Sequence, residues 1–293
     1  MNLVIGIDLG GSSIKIGCFT ATGECIHNQI IPTPQPSTPV AVTEALVTSV
    51  NQLKNKYNCM AIGLGTPGPT DGEGRIAKVA INLHNWQDVP LADWLESQTG
   101  LPTKIANDAN CAGLGEAWLG AGQNFTNFIL LTLGTGIGGA IILNKQLYTG
   151  LYGAAGELGL ITLNYNGLMC NSGNQGSLEQ HISVQAIQRI TGKEPGTLAA
   201  KAENGDQDAI TFWQEYGKLL GAGLASLIYV LTPEAILIGG GISASSHLFL
   251  PSTKAEIERR VLSSSRIGLQ LLTAKLGNQA GIVGAAKLAW ELL

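Results

Sequence analysis

Two strand–glycine–strand patterns constrain this chain more than any other feature. Residues 3–8 form an apolar run that ends in Asp8, Gly10-Gly11-Ser12-Ser13 follows, and residues 14–19 resume the apolar run. The pattern returns at 128–133, where Gly134-Thr135-Gly136-Ile137-Gly138-Gly139 leads into a second apolar stretch at 140–143. Each predicts a hairpin with glycines at its tip. Glycine lets backbone N–H groups come close to an anion, so both tips are candidate phosphate cradles. In the first, Ser12 and Ser13 add hydroxyls, Asp8 could hold a hydrated magnesium ion, and Lys15 could neutralise phosphate charge. The second superficially matches a dinucleotide fingerprint, but that motif must open a helix, and here a strand (AIIL) follows. No GxxxxGK[ST] sequence occurs, which excludes a P-loop. The likeness of the hairpins points to two related halves, although no short-period repeat is present.

Between the hairpins lies the stretch 104–122, KIANDANCAGLGEAWLGAG. It reads as the end of a strand, a break at Asn107-Asp108, and a helix of small residues. A carboxylate at the C-terminal end of a strand, just before a helix, stands where α/β folds place their chemistry. Asp108 is therefore read as a general base that takes a proton from a substrate hydroxyl. The competing reading is a helix N-cap, a role Asp often fills; the flanking glycine hairpins favour the base.

The rest of the chain is consistent with an α/β protein. With 293 residues it holds one large or two medium domains. A 45% hydrophobic, 13% charged composition allows a substantial core, and a net charge of -4 gives no basic footprint for nucleic acid. Five scattered cysteines do not make a disulfide framework and fit a reducing cytoplasm. The start, MNLVIGIDLGG, lacks a basic n-region and reads as a strand, not a signal peptide. No apolar run is long enough to span a membrane. Periodicity predicts helices at 40–57, 91–99, 182–191, 196–204, 209–232 (apolar on most faces) and 280–293. Strands are expected at 60–64, 235–238 and 269–274. Residues 30–39, with four prolines, read as a connector.

The sequence resembles the ROK family of sugar kinases, repressors and open reading frames. The resemblance is carried by DLGGSSIK (from Asp8), GTPGP (from Gly65), INL (from Ile81), NDANCAGLGE (from Asn107), LTLGTGIGG (from Leu131), GAAGELG (from Gly153), GSLE (from Gly176) and ILIGGGIS (from Ile236). It implies an actin-like, ribonuclease-H-like ATPase fold, with two α/β domains closing over a cleft. One is expected at 1–118, with 281–293 packing back on it, for sugar and phosphate. The other, at 119–280, is expected to serve nucleotide binding and dimerisation. The resemblance further implies ATP with magnesium, a homodimer, and transfer of phosphate to the primary 6-hydroxyl of a hexose, glucose first. Fructose, mannose, N-acetylglucosamine and N-acetylmannosamine stay open, as does polyphosphate as donor. Carried over by motif, Asp108 is the base. Gly68, Asn82, Asn107, Glu157 and Glu179 contact the sugar. Gly10, Gly11, Ser12, Gly134, Thr135 and Gly136 hold phosphates, and Gly239, Gly240 and Gly241 the adenosine end.

Family members carry a zinc site of one His and three Cys. This chain has Leu160, Cys170, Ser172 and Ser177 at those positions. Leucine cannot ligate a metal and serine is a poor substitute for thiolate, so no zinc is expected. The loop at 163–177 is then held by hydrogen bonds, with Asn164, Asn166, Asn171 and Asn174 as candidates. Loss of the His also removes a sugar contact. Two other functions compete. A ROK repressor needs a DNA-binding domain before the first hairpin, which here begins at Leu3. A sugar-sensing protein without turnover would fit the altered His/Cys box but not the intact Asp8, Asp108 and glycine turns.

Overall fold

In the computed structural model, which describes residues 1–80 and 82–293, strand β1 (Leu3–Leu9) pairs antiparallel with β2 (Ser13–Phe19), and Asp8 stands opposite Lys15. The chain divides into two units. The first comprises Met1–Asn124, Ile141–Gly156 and Leu276–Leu293, and the second Phe125–Ala140 and Glu157–Lys275.

After β2 come β3 (Cys25–Pro32), α1 (Pro39–Lys54) and β4 (Cys59–Thr66), then the short pair β5 (Ala77–Val79) and β6 (Gln87–Val89). Helix α2 (Leu91–Thr99), β7 (Thr103–Asn107) and α3 (Asp108–Leu119) follow. The first sheet runs β3-β2-β1-β4-β7. Strands β1, β4 and β7 are parallel, with Asp8 beside Gly65, Gly65 beside Ala106 and Thr66 beside Asn107. Their carboxyl ends therefore line up at one edge, where open α/β sheets bind ligands. Strand β3 overturns the expectation of a connector from residue 30. Its sequence, CIHNQIIP, is polar and half-exposed because it is the sheet's edge, so it lacks the apolar run of a central strand.

In chain order the remaining elements are β8 (Phe128–Leu133), β9 (Ile137–Leu143), β10 (Gln146–Leu147), α4 (Glu179–Ile182), α5 (Val184–Thr191), α6 (Pro195–Glu203), α7 (Gln207–Leu231), β11 (Ala235–Gly239), α8 (Ser246–Arg260), β12 (Gln270–Thr273) and α9 (Ala280–Trp290). The second sheet runs β10-β9-β8-β11-β12, the same pattern of connections as the first, and the division between the units falls inside β9. Strand β9 starts at Ile137, so Gly138 and Gly139 belong to the strand and the turn is only 134–136.

Helix α7 buries one face in its first half and most of its surface over residues 216–228. Trp213, Tyr216, Leu220 and Leu224 are inside, while Tyr229 and Val230 are exposed. On α7 and α8, Trp213 stacks on Phe249 at 5.8 Å and Tyr216 lies 5.0 Å from the same ring. Helix α8 was not anticipated, because its Ser-His opening, Pro251 and polar composition hide the helical period. Among the described residues no helix is long and apolar enough to cross a membrane.

The first unit is built around two apolar layers. Leu3, Ile5, Ile7 and Leu9 of β1 pack with Val42, Leu46 and Val50 of α1 and Leu91 and Leu95 of α2. On the other layer, Val4 and Ala61 pack with Ile282, Val283 and Ala286 of α9. Helix α9 reaches β4 and α3 only because glycines face it. A Cβ at Gly63 would lie 1.8 Å from the Ala285 carbonyl, and one at Gly284 would lie 1.5 Å from the Cys111 carbonyl. Gly284→Val should therefore destabilise the protein by about 3 kcal/mol in chemical denaturation, through overpacking. Gly196→Ala, with nothing within 4 Å of the new Cβ, should be neutral or slightly stabilising in the same experiment.

Candidate functional site

In the first unit the sequence motifs converge on the carboxyl edge of the sheet. Asn107 terminates β7 and caps α3: its Oδ1 accepts from the Ala109 N–H at 2.9 Å and the Asn110 N–H at 3.3 Å. The cap role weighed for Asp108 thus belongs to its neighbour. Asp108 Oδ1 accepts from the Ala109 N–H at 2.7 Å, and Oδ2 makes no hydrogen bond among the described residues. The Asp108 residue is exposed to solvent. Enough protein still surrounds it that burial, with a smaller contribution from the charge on Asp8, pushes its carboxyl above the usual range, against the opposing pull of the Ala109 N–H. A carboxylate with a raised pKa, a free oxygen and access to solvent is equipped to accept a proton.

Asn107 does a second task, since its Nδ2 donates to the Gly68 carbonyl at 3.1 Å. Gly68 has φ 78°, and a Cβ there would lie 2.0 Å from the Val79 carbonyl, so the turn at 65–69 accepts no other residue without rearrangement. Both polar ends of Asn107, and the carbonyl of Gly68, are engaged inside the protein. Asn82 is exposed beside the first glycine turn, with its carbonyl 3.5 Å from where a Cβ on Gly11 would stand. Its loop is anchored by buried Trp86, whose Nε1 donates to the Ser37 carbonyl at 2.7 Å. The preceding motif residue, Ile81, lies outside the described residues.

The first glycine turn is itself organised. The Gly10 N–H donates to the Ser13 carbonyl at 3.0 Å, so Gly10 is not one of the free donors. The N–H groups of Gly11 and Ser12 have no partner among the described residues. Thr33 holds the turn from behind, its hydroxyl donating to the Gly10 carbonyl at 2.7 Å and its N–H to the Ser12 carbonyl at 3.1 Å. Sequence reasoning missed Thr33 because the contact spans 23 residues of chain. The ammonium of Lys15 lies 3.0 Å from Asp8 Oδ2 and donates to the Asn278 carbonyl at 2.9 Å. Lys15 is the counter-ion of Asp8 rather than a free cation.

The second unit brings three further motifs together at the start of β9. Glu179 Oε2 accepts from the Ile137 N–H at 2.8 Å. It sits so near the turn that a Cβ on Gly136 would lie 2.5 Å from it, and Gly159, two residues after Glu157, packs on the Ile137 carbonyl. Glu157 is exposed at the head of a short 3-10 turn. The Gly134 N–H donates to the Gly136 carbonyl at 3.0 Å, which leaves the N–H groups of Thr135 and Gly136 without a partner among the described residues. Gly239 ends β11, and Gly240 (φ 81°) turns against the backbone of Leu133, one residue before Gly134; Gly241 is exposed.

The family model described as "ROK family" matches residues 4–291. The chain belongs to the ROK family. It is 33% identical to a glucokinase of Streptomyces coelicolor, over 99% of this chain and 98% of that protein. Among solved structures, a ROK family glucokinase from Streptomyces griseus, in complex with glucose and AMPPNP, is 34% identical with a TM-score of 0.82, covering 99% of each chain. A ROK hexokinase from Thermus thermophilus is 32% identical with a TM-score of 0.87, covering 99% of this chain and 98% of that one. The fold is accordingly the actin-like ATPase fold of the ROK kinases.

Within that family this chain has an altered loop at 163–177. Cys170 Sγ lies 2.7 Å from Ser172 Oγ, and among the described residues no group of three or more His, Cys, Asp or Glu is placed to hold a metal. One thiol, two hydroxyls and a leucine do not fit zinc. Asn174 is the hub instead: its Nδ2 donates to the Leu160 carbonyl at 2.6 Å and to Thr162 Oγ1 at 3.1 Å, and its Oδ1 accepts from the Gln175 N–H at 2.8 Å. The Asn164 side chain contributes one bond, its Oδ1 accepting from the Asn166 N–H at 3.1 Å. The Leu163 and Asn164 N–H groups both donate to the Gly176 carbonyl.

Metal analysis should find far less than one zinc per chain, and chelator should leave the melting temperature unchanged. A stoichiometric metal whose removal lowers the melting temperature would overturn this account. The raised pKa of Asp108 carries a separate expectation. Its folded value lies above its unfolded value of about 3.9, so its contribution to stability is greatest below the unfolded pKa and is lost as pH rises through the folded pKa. Asp108→Asn should melt higher than the native protein at pH 7, and the difference should shrink as pH falls toward 3.

Proposed function

We propose that this chain is an ATP-dependent hexose kinase that transfers phosphate to the 6-hydroxyl of glucose, or of a related hexose. The observation that carries the reading is Asp108: it heads α3 without being its cap, keeps one oxygen free, and has a carboxyl whose pKa is raised by burial and by Asp8. Family membership supports it, as does the relative from Streptomyces griseus, whose structure holds glucose and AMPPNP.

Phosphoryl transfer asks a protein mainly to position groups and stabilise charge. On this reading Asp108 accepts the proton of the sugar's primary hydroxyl as the oxygen attacks the terminal phosphate. Asn82, Glu157 and Glu179 are assigned to the sugar hydroxyls, since a carboxylate can accept from two at once. Asn107 and Gly68 serve the sugar chiefly by fixing the geometry around the base. The free amides of Gly11, Ser12, Thr135 and Gly136 are assigned to the phosphates, and the turn at 239–241 to adenosine. Magnesium, arriving with ATP, would be held through water by Asp8 and would offset phosphate charge; one carboxylate suits a cation that retains most of its waters. Lys15 keeps the Asp8 carboxylate oriented for that task. On these assignments the first unit would supply the base together with sugar and phosphate contacts, and the second the adenosine turn together with the remaining sugar and phosphate contacts. A homodimer acting in the cytoplasm, at the entry of sugar into glycolysis, completes the proposal.

One observation keeps a second reading in view. Leu160 stands where family members place a sugar-contacting His, which fits either altered sugar selectivity or a sensor without turnover. An ADP-release assay with ATP and magnesium across a hexose panel separates them. The expected result is turnover on glucose that falls about 10²–10⁴-fold in Asp108→Ala, with sugar binding retained. The acid limb of the kcat/KM profile should lie above the ordinary carboxylate range, because the base must be ionised. Saturable sugar binding with no turnover on any hexose would favour the sensor.

A further inference from the structure

A cavity of about 660 Å³ lies within the first unit, walled by the loop at 70–74 with β7, by the β9–β10 hairpin, and by the end of α9. Its volume falls in the range of small-molecule sites. Three lysines line it, one from each wall: Lys104 on β7, Lys145 at the hairpin turn, and Lys287 in the last turn of α9. Lys104 and Lys145 have no ion pair or side-chain hydrogen bond among the described residues, whereas Lys287 lies 3.7 Å from Glu291. The other acid in the lining, Asp71, is turned to its own loop, its Oδ1 accepting from the N–H groups of Arg75 and Ile76 at 2.7 and 2.8 Å. Two unpaired ammonium groups therefore line a cavity in a chain whose net charge is -4.

We propose that this cavity binds a small phosphorylated molecule, with the phosphate on Lys104 and Lys145 and a polyhydroxylated body against Thr70, Gln146 and Thr149. A phosphate monoester carries close to two negative charges at neutral pH, which matches two unpaired ammonium groups better than a single carboxylate would. Hydroxyl and amide side chains suit the hydroxyls of a sugar. The walls are braced. The Ile105 N–H donates to the Gly74 carbonyl at 2.8 Å, and the aliphatic stem of Lys104 lies against Gly74. The lining reaches Ala106, two residues before the proposed base, but the phosphate-binding end stands off from it: Lys104 precedes Asp108 by four residues, about 13 Å along an extended strand. It has the character of a regulatory site for a sugar phosphate or for free phosphate, the two sources of the same anion.

The test is titration calorimetry of the full chain with glucose 6-phosphate and with inorganic phosphate, each with and without saturating AMPPNP and glucose. Binding of either anion that persists with AMPPNP and glucose present, and weakens at least tenfold in Lys104→Met/Lys145→Asn, is the expected result. Tighter binding of the sugar phosphate supports the polyol contacts, and equal binding of both supports recognition of the phosphate alone. Lys145 has φ 63°, where asparagine is at ease, so Lys145→Asn alone is a folded variant in which affinity should still fall several-fold. Unchanged affinity in these variants, absence of binding, or binding abolished by AMPPNP and glucose would each overturn the proposal. Because the readout is heat of binding, it stands or falls independently of the kinase reading.

Discussion

Helix α9 lies against β4 and α3 at distances that leave no room for side-chain carbon at Gly63 or Gly284, and the placement of both acidic groups depends on that approach. The beginning of the same helix comes up to Asp8, since a Cβ on Gly281 would stand 3.0 Å from its Cγ. The segment just before the helix supplies the Asn278 carbonyl that holds Lys15, and Lys15 in turn holds Asp8. One helix, returning from the far end of the chain, thus packs beneath α3 and fixes the counter-ion of the other carboxylate. Protein interiors are close-packed solids, so a shift of this helix would move Asp8 and the start of α3 together.

Asp8 lies near the end of β1, and Asp108 opens α3 directly after β7, so both stand at the carboxyl edge of one sheet, and their surroundings differ. Asp8 has a lysine 3.0 Å away. Asp108 has no cation partner among the described residues, and the protein around this exposed side chain, together with the charge of Asp8, opposes its ionisation. A carboxyl whose ionisation is opposed, as that of Asp108 is, suits proton transfer. The helix cap matters here. By placing Asn107 at the cap, the chain satisfies the orphan amides of α3 without consuming the second oxygen of Asp108.

The loop at 163–177 is tied together by hydrogen bonds. Zinc ligation ties distant loop residues through one centre. Here a single amide side chain, Asn174, links Leu160, Thr162 and Gln175 across the same loop. The order of this loop rests on several bonds of modest net strength.

Most elements follow from local pattern: α2 and β8 lie at the expected residues, and the glycine hairpins and the break at Asn107-Asp108 are visible in composition alone. What was missed has a common cause. Strand β3 is polar because it is an edge, α8 hides its period behind Pro251, and Thr33, Asn278 and the partner of Lys15 act over chain separations that carry no local signal. The order of residue types therefore determined the strands, the turns and the family to which the chain belongs, because period and glycine placement are written in neighbouring residues. Only the tertiary structure decided that Asn107 caps α3 and frees Asp108, that Lys15 pairs with Asp8, and that three lysines from separate segments share one cavity. Those outcomes depend on which distant groups packing brings within a few ångströms, and no local pattern encodes that distance.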